Sequence, residues 1–136
     1  MRVILDTNVF VSGVFFGGIP ARILEAWRDS RIHPVLSAEI LDEYRRVGAT
    51  LGKRYPGVDL EPLLAILAVH AEVVEAPALA EPVSVDPDDD KFLACAVAAG
   101  VTVIVSGDKH LVDESGWQGV RVLRPREFAE EFLVEL

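Results

Sequence analysis

Residues 101–108 read Val-Thr-Val-Ile-Val-Ser-Gly-Asp and contain the strongest strand signal in the chain. The first five residues of this stretch are all β-branched, which predicts a buried strand that ends at Ser-Gly-Asp. Residues 2–6, Arg-Val-Ile-Leu-Asp, repeat the arrangement at the start of the chain, with an aspartate directly after a short apolar strand. Strands without polar alternation are typical of parallel sheets that carry helices on both faces.

Further strands and helices alternate along the chain outward from these two strands. Weaker strand candidates are residues 33–36, 71–74 and 120–123. Helices are predicted over residues 20–29, 37–47, 59–70, 89–99 and 125–135. Pro20 and Ser37 suit the first positions of helices, and Gly100 suits a helix end. The alternation predicts an α/β fold with a parallel sheet and one domain, residues 1–136.

Composition limits the class of protein. Apolar residues make up 51% of the chain and charged residues 26%, which is typical of a globular protein. No apolar run approaches the roughly 20 residues that span a bilayer. The apolar run before Asp6 is too short to be the apolar region of a signal peptide. The single cysteine, Cys95, excludes an internal disulfide and a cysteine-based metal cage. We therefore expect a cytoplasmic protein with no membrane partner.

Charge is distributed unevenly along the chain. The net charge of −9, from 13 basic and 22 acidic residues, argues against a passive nucleic-acid binder. Seven acids and no base lie from Glu72 to Asp90, whereas seven bases and five acids lie from Arg22 to Arg54. An acid-rich region therefore accompanies a mildly basic one, and this pattern needs an explanation beyond the average charge.

Two aspartates mark the ends of the two strongest strands. Asp6 and Asp108 each follow an apolar strand, and each one alone fits a turn or a helix cap. The carboxyl ends of parallel strands meet at one edge of the sheet, which is where α/β proteins bind ligands. Together the two acids therefore indicate a shared crevice.

A third acid belongs to the predicted helix 37–47. Helical spacing places Glu43 at the margin of the apolar face of this helix, whereas Asp42 points to solvent. Glu43 can reach a partly buried site, or it can form a surface ion pair with Arg46 three residues later.

The run Asp86-Pro-Asp-Asp-Asp90 holds more acids than the start of a helix requires. Two carboxylates about 4 Å apart repel by roughly 4 kcal/mol at an effective dielectric constant of about 20. A crevice that gathers several acids therefore needs either protonation or a divalent cation, and oxygen ligands favour Mg²⁺ or Mn²⁺. Such a centre activates water for attack on a phosphodiester.

Four motifs, in this order and spacing, resemble those of the PIN-domain nucleases. They are Val3-Ile-Leu-Asp6-Thr-Asn8, Ser37-Ala-Glu-Ile-Leu-Asp-Glu43-Tyr-Arg, Asp86-Pro-Asp-Asp-Asp90-Lys-Phe-Leu-Ala and Val105-Ser-Gly-Asp108-Lys-His-Leu. The resemblance covers nearly the whole chain, including Arg124-Pro-Arg-Glu-Phe128, and is nearest to bacterial and archaeal PIN proteins described as toxins of toxin–antitoxin pairs.

The resemblance implies a fold, a chemistry and a set of site residues. The fold is a three-layer α/β/α sandwich, Rossmann-like, around a central and mainly parallel five-stranded sheet. The chemistry is RNA cleavage that depends on one or two Mg²⁺ or Mn²⁺ ions. The acidic quartet falls on Asp6, Glu43, Asp90 and Asp108, and Asp90 is chosen by its spacing to Leu93-Ala94. The supporting positions are Asn8, Ser106, Asp86 and Asp89.

In the resulting hypothesis Asp6, Asp90 and Asp108 hold the metal. Glu43 binds metal or positions the attacking water. Candidates for contacts to RNA phosphates, or else for solvated helix faces, are Arg22, Arg45, Arg46, Lys53, Arg54 and Lys109. His110 is expected at the surface. The aromatic residues expected in the core or at a dimer face, rather than stacked on bases, are Phe15, Phe16 and Trp27.

The resemblance also implies protein partners. These are an antitoxin and a second copy of the chain, and the apolar segments 9–16 and 128–136 are the candidate dimer contacts.

Two other functions remain open. A phosphatase of the haloacid-dehalogenase type also carries an aspartate after its first strand, and it is similar to this chain at Ser106-Gly-Asp108. It requires a second aspartate where this chain has Asn8, and it has no use for Glu43. An inactive PIN-like module that binds RNA or protein does not need the complete quartet.

Overall fold

The computed structural model describes residues 1–134, which form five strands and seven α-helices. In chain order the elements are β1 (Arg2–Leu5), α1 (Thr7–Phe15), α2 (Gly18–Arg28), β2 (His33–Ser37), α3 (Ala38–Arg54), α4 (Glu61–His70), β3 (Glu72–Val74), α5 (Asp90–Ala99), β4 (Val103–Val105), α6 (Lys109–Val112), β5 (Arg121–Leu123) and α7 (Pro125–Phe132). Short 3-10 turns at Pro87–Asp89 and Trp117–Gly119 precede α5 and β5.

The five strands are all parallel and lie in the order β3-β2-β1-β4-β5. Strand β1 pairs with β4 so that Ile4 lies opposite Ile104 and Leu5 opposite Val105. The chain winds from β1 to one edge of the sheet, returns to β4, and then winds to the other edge. This reversal opens a crevice at the carboxyl ends of β1 and β4. The predicted parallel five-stranded sheet is confirmed.

Side chains alternate in direction along each strand, so the sheet has apolar side chains on both faces. Helices pack on both faces and bury these side chains. Ile4 and Ile104 belong to a buried core with residues of α1, α3, α4 and α5. Val3, Leu5 and Val105 face the other way and pack with α2 and α7. The molecule is therefore the predicted three-layer α/β/α sandwich.

The helix that carries the third acid begins as the sequence predicts. The Ser37 hydroxyl accepts a hydrogen bond from the backbone N–H of Ile40 at 3.3 Å and caps α3. Gly100 ends α5 in the left-handed conformation, with φ of 68°, which glycine adopts without steric cost.

The main difference from the prediction is α1, because the residue pattern of this segment did not indicate a helix. Val9 packs in the core on one side of the sheet, while Phe10 and Val11 pack in the core on the other side. Apolar residues that face two cores occupy most of the circumference of a helix, so they do not form the single apolar stripe that reveals a helical period. Strand β4 begins later than predicted, at Val103, and α7 ends at Phe132.

Most apolar side chains of the two proposed dimer segments are used within the chain. Val9, Phe10, Val11 and Phe128 are buried in its own core, and the homodimer stays a prediction. Residue 135, the last of the predicted helix 125–135, and residues 135 and 136 of the dimer segment 128–136 lie outside the described residues.

Within residues 1–134 no single helix is both long and apolar enough to cross a bilayer. Helices α1 and α2 pass that test only as a pair, and they are bent by 93° at the break between them.

Helices α3 and α4 approach each other closely at Gly48. A β-carbon at this position would lie 1.9 Å from Cδ2 of Leu60, which is itself buried. Gly52, one helical turn later, has nothing within 4 Å of the same point. The two glycines therefore form a matched pair for testing this contact.

We expect the substitution G48A to lower the free energy of unfolding by about 1–2 kcal/mol, because the new methyl group overlaps Leu60. G52A should instead raise it by up to about 1 kcal/mol, because alanine favours the helix over the unfolded chain. Urea unfolding followed by circular dichroism measures both. Equal stability of the two variants would contradict the close packing of α3 on α4.

Candidate active site

The candidate site lies at the carboxyl ends of β1 and β4, where the winding of the sheet reverses. The backbone N–H of Asp6 donates to the carbonyl of Val105 at 2.9 Å, which extends the strand pairing by one residue. Asp6 and Ser106 therefore emerge side by side from neighbouring strands. Both are buried.

The Ser106 hydroxyl joins the two predicted strand-end acids. It donates to Oδ2 of Asp6 at 2.5 Å and accepts the backbone N–H of Asp108 at 3.0 Å. Asp108 in turn accepts the N–H of His110 at 2.8 Å and so begins α6. One short chain of hydrogen bonds through Ser106 thus fixes Asp6 and Asp108 relative to each other.

A third carboxylate arrives from the turn before α5. One ligand atom each of Asp89, Asp108 and His110 lies within 4.8 Å of the others. Asp89 is 7% exposed, and its turn is closed by Asp86, whose carboxylate accepts the N–H of Asp88 at 3.0 Å. His110, expected only at the surface, has a half-exposed imidazole beside Asp108.

The structure brings Asp89, and not Asp90, to Asp108. Both oxygens of Asp90 face the preceding loop, where they accept the backbone N–H groups of Val83 at 3.1 Å and Ser84 at 2.8 Å. Consecutive helical residues point about 100° apart, so only one of two adjacent acids can face the crevice. The sequence spacing to Leu93-Ala94 predicts Asp90 as the metal ligand, and in the structure it is Asp89 that lies beside Asp108.

Burial raises the pKa of Asp6 and of Asp89, the two buried aspartates of the crevice. The pKa of Asp89 rises to about 7, first because of burial and then because of the negative charges of Asp108 and Asp6. Burial likewise raises the pKa of Asp6 and outweighs the opposing hydrogen bonds from Ser106 and Thr7. The protein therefore holds mutually repelling acids in a place where water screens them poorly.

Two buried oxygens in this region have no hydrogen-bond partner within residues 1–134. They are Oδ2 of Asp89 and the hydroxyl of Thr7, the residue that follows Asp6. A buried carboxylate oxygen without a donor is costly, and coordination to a cation removes that cost. The donor set of carboxylates with one imidazole suits a hard divalent ion such as Mg²⁺ or Mn²⁺. The residues present therefore fit a divalent metal.

Glu43 approaches the crevice from α3 and is held by two bases. Its carboxylate contacts the ammonium group of Lys91, and Arg46 lies 3.7 Å from the same oxygen. The Glu43 side chain is 17% exposed and that of Asp42 is 80% exposed, as the helical spacing predicts. The ion pair with Arg46, which the sequence left open, is present as well.

Lys91 is the site residue that the sequence reasoning missed. Its side chain is only 18% exposed, and a lysine so placed needs an acid partner. The available signal was its position at the end of the acid-rich stretch Glu72 to Asp90.

Tyr44 fixes α3 against the start of the site. Its hydroxyl donates to the carbonyl of Leu5, the residue before Asp6, and its ring stacks on Phe10 at 4.3 Å between centroids. The helix that carries Glu43 is therefore tied directly to the strand that carries Asp6.

The predicted phosphate-contact residues do not share one surface. Arg46 lines a groove with Asn8, which is exposed on α1. Arg45 pairs with Asp42 and Lys109 with Asp113, each at 3.8 Å. Arg22 lies beside α7, on the face of the sheet opposite α3. Lys53 and Arg54 are exposed at the end of α3.

Comparison with known families gives one match. A protein-family model described as PIN domain matches residues 2–110, a span that includes all the acids of the crevice. No curated protein matches the chain.

The raised pKa of Asp89 makes the stability of the metal-free protein depend on pH. The unfolded chain loses this proton near pH 4, whereas the folded protein keeps it until about pH 7, so the free energy of unfolding falls as the pH rises between these values. The variant D89N lacks this effect. We expect the free energy of unfolding of D89N to be higher than that of the wild type by on the order of 2 kcal/mol near pH 8. Near pH 4 the two free energies should be equal.

Urea unfolding in the presence of a chelator, repeated across this pH range, measures the difference. D88N is the matched control, because Asp88 is the exposed neighbour of Asp89. A D89N variant that is less stable than the wild type near pH 8 would show that Asp89 is not a strained buried acid.

Proposed function

This chain belongs to the PIN-domain family, and we propose that it is a divalent-metal-dependent endoribonuclease. The family implies a nuclease fold and a nucleic-acid substrate. The proposal rests on the buried Asp89 oxygen without a donor, on a carboxyl group whose pKa is raised by burial and by the charges of Asp108 and Asp6. A binding module with no metal would gain nothing from this costly arrangement.

The proposed metal ligands are Asp6, Asp89 and Asp108, with His110 at the exposed rim. Asp89 takes the role that the motif spacing assigned to Asp90. Both oxygens of Asp90 already accept backbone hydrogen bonds, which supports a positioning role for it. One or two Mg²⁺ or Mn²⁺ ions, when bound, would lower the pKa of a coordinated water and neutralise charge on the scissile phosphate.

The chain's own residues supply orientation and proton handling. Ser106 holds the Asp6 carboxylate in one rotamer through its hydroxyl. Glu43, fixed by Lys91 and Arg46, is positioned to accept a hydrogen bond from the attacking water. Arg46 stands next to it, where a guanidinium can contact a phosphate oxygen of the substrate.

We expect single-stranded RNA to be cleaved with Mn²⁺ and to survive when a chelator is added. D6N and D89N should lower the rate at least about 100-fold, because removal of even an outer partner of a metal site costs about 10–100-fold. D88N should cleave at the wild-type rate. D90N should retain partial activity, since it loosens the loop at Val83 and Ser84 and leaves the ligands in place. Gel analysis of a labelled oligonucleotide measures all four.

A second readout does not depend on cleavage. Mn²⁺ should raise the unfolding temperature of the wild type and of D88N and D90N, but not that of D89N. Cation stabilisation lost in D90N and kept in D89N would return the metal site to Asp90. Hydrolysis of a phosphate monoester in place of RNA would favour the phosphatase, and activity on neither substrate would favour an inactive binding module.

The toxin role is a further part of this proposal, together with the cytoplasmic location, the homodimer and the antitoxin. It is supported by the resemblance of the four acid-bearing motifs to PIN proteins described as toxins. A nuclease that acts on cellular RNA needs an inhibitor when it is not in use, and a small protein encoded beside it is the simplest source of one.

Induced expression of the wild type should arrest bacterial growth, and expression of D89N should not, because only the wild type cleaves RNA. Co-expression of a small adjacent gene product should restore growth. Colony counts after induction measure this outcome. Normal growth despite confirmed RNA cleavage in vitro would contradict the toxin role and leave the nuclease assignment standing.

A further inference from the structure

A groove between α1 and α3 begins at the edge of the candidate active site. Its volume is about 530 Å³, within the range of ligand-binding clefts. Asn8, two residues after Asp6, lines one end together with Arg46, which contacts Glu43. The groove then continues along the two helices past residues that include Ser12, Phe16, Val47 and Thr50.

An exposed aromatic side chain forms the far end of this groove. Phe16 is 57% exposed, which excludes the core and leaves the dimer face as the alternative that the sequence analysis also gave. It meets the ring of Tyr55 edge to face at 5.2 Å between centroids, and Tyr55 is itself 40% exposed. Phe15 packs behind both rings. Two neighbouring aromatic rings that pack against each other are thus exposed to solvent at one end of the groove.

The charge along the groove is positive in a chain whose net charge is −9. Residues 44–58 carry four bases and no acid, and residues 7–21 on the opposite wall carry no charge at all. Lys53 and Arg54 follow Thr50 by three and four residues, the spacing that places side chains on one helix face. Within residues 1–134 neither of these two bases has an acid within ion-pair distance.

We propose that this groove binds unpaired nucleotides of the substrate strand, with Phe16 stacked on a base and with Arg46, Lys53 and Arg54 on the phosphates. The combination of a basic track and a rigid aromatic face is typical of single-strand binding sites. Bases in a duplex do not offer their faces to a side chain, so the groove selects single-stranded RNA. This inference rests on the proposed nuclease function and adds the means of holding the strand.

Binding is measured by fluorescence anisotropy with a labelled single-stranded oligoribonucleotide in the presence of a chelator, so that no cleavage occurs. The central variants are F16L, which keeps an apolar side chain and removes the ring, and F16Y, which keeps the ring. R54A tests the phosphate contacts. The controls are V69A and R28A, which remove exposed side chains on α4 and α2 outside the groove.

We expect F16L to weaken binding about tenfold and F16Y to restore it, because stacking depends on the ring. On an abasic strand of the same length, F16L and the wild type should bind equally. R54A should be weaker on both strands, since phosphates are present in each. Duplex RNA should bind the wild type more weakly than the single strand does. The control variants V69A and R28A should bind the single strand with the affinity of the wild type.

Equal affinity of F16L and the wild type for the normal strand would overturn the proposal. So would an equal loss on the abasic strand. If F16L converts a dimer into monomers in size-exclusion chromatography and leaves RNA affinity unchanged, the surface is an interface between copies and the proposal fails. Absence of cleavage by the wild type with Mn²⁺ overturns the nuclease function instead, and the binding measurement is independent of it.

Discussion

The hydrogen bond from the Ser106 hydroxyl to Asp6 is the interaction on which the rest of the site depends. It crosses from β4 to β1 where the winding of the sheet reverses, and the same oxygen accepts the N–H of Asp108. Two acids that stand about a hundred residues apart in the sequence are thereby held side by side. The arrangement requires parallel strands, because only then do the carboxyl ends of β1 and β4 coincide. It also requires the apolar layers on both faces, because they exclude the water that would otherwise solvate these charges.

Much of this arrangement could be predicted from the sequence because it follows from periodicity. The apolar strands before Asp6 and Asp108 fixed the sheet edge, the Ser37 cap fixed the start of α3, and helical spacing fixed the orientation of Glu43. The choice between Asp89 and Asp90 could not be made in this way. It depends on the rotation of the first turn of α5, which the hydrogen bonds of Asp90 to the preceding loop determine. Helix α1 was missed because its consecutive residues Val9, Phe10 and Val11 are divided between the cores on the two sides of the sheet, which hides the helical period of the apolar residues.

In the run from Asp86 to Asp90, two acids stabilise the local fold and a third lies in the crevice as a proposed metal ligand. Asp86 closes the turn, Asp90 ties the loop at Val83 and Ser84 to the start of α5, and Asp89 is left buried in the crevice. Asp90 accepts backbone hydrogen bonds with both carboxylate oxygens and Asp86 with one, and together they hold Asp89 in a place where its Oδ2 has no partner among residues 1–134. Lys91, the next residue, fixes Glu43 from the other side. One short segment thus determines the geometry of both a proposed ligand and the glutamate opposite it.

The separation of charge described along α3 has a consequence for how a polyanion reaches the protein. Acids converge at the crevice, bases occupy the later half of the neighbouring helix, and the remaining surface is largely negative. Such a molecule has a permanent electric dipole, which turns an approaching polyanion before contact and repels it elsewhere. If the proposed nuclease function holds, the first encounter with a nucleic-acid strand would occur at the basic end of α3, and the strand would reach the carboxylates from that side. Because this guidance acts over about 10 Å at an ionic strength near 0.1 M, it favours productive collisions in dilute salt and fades in concentrated salt.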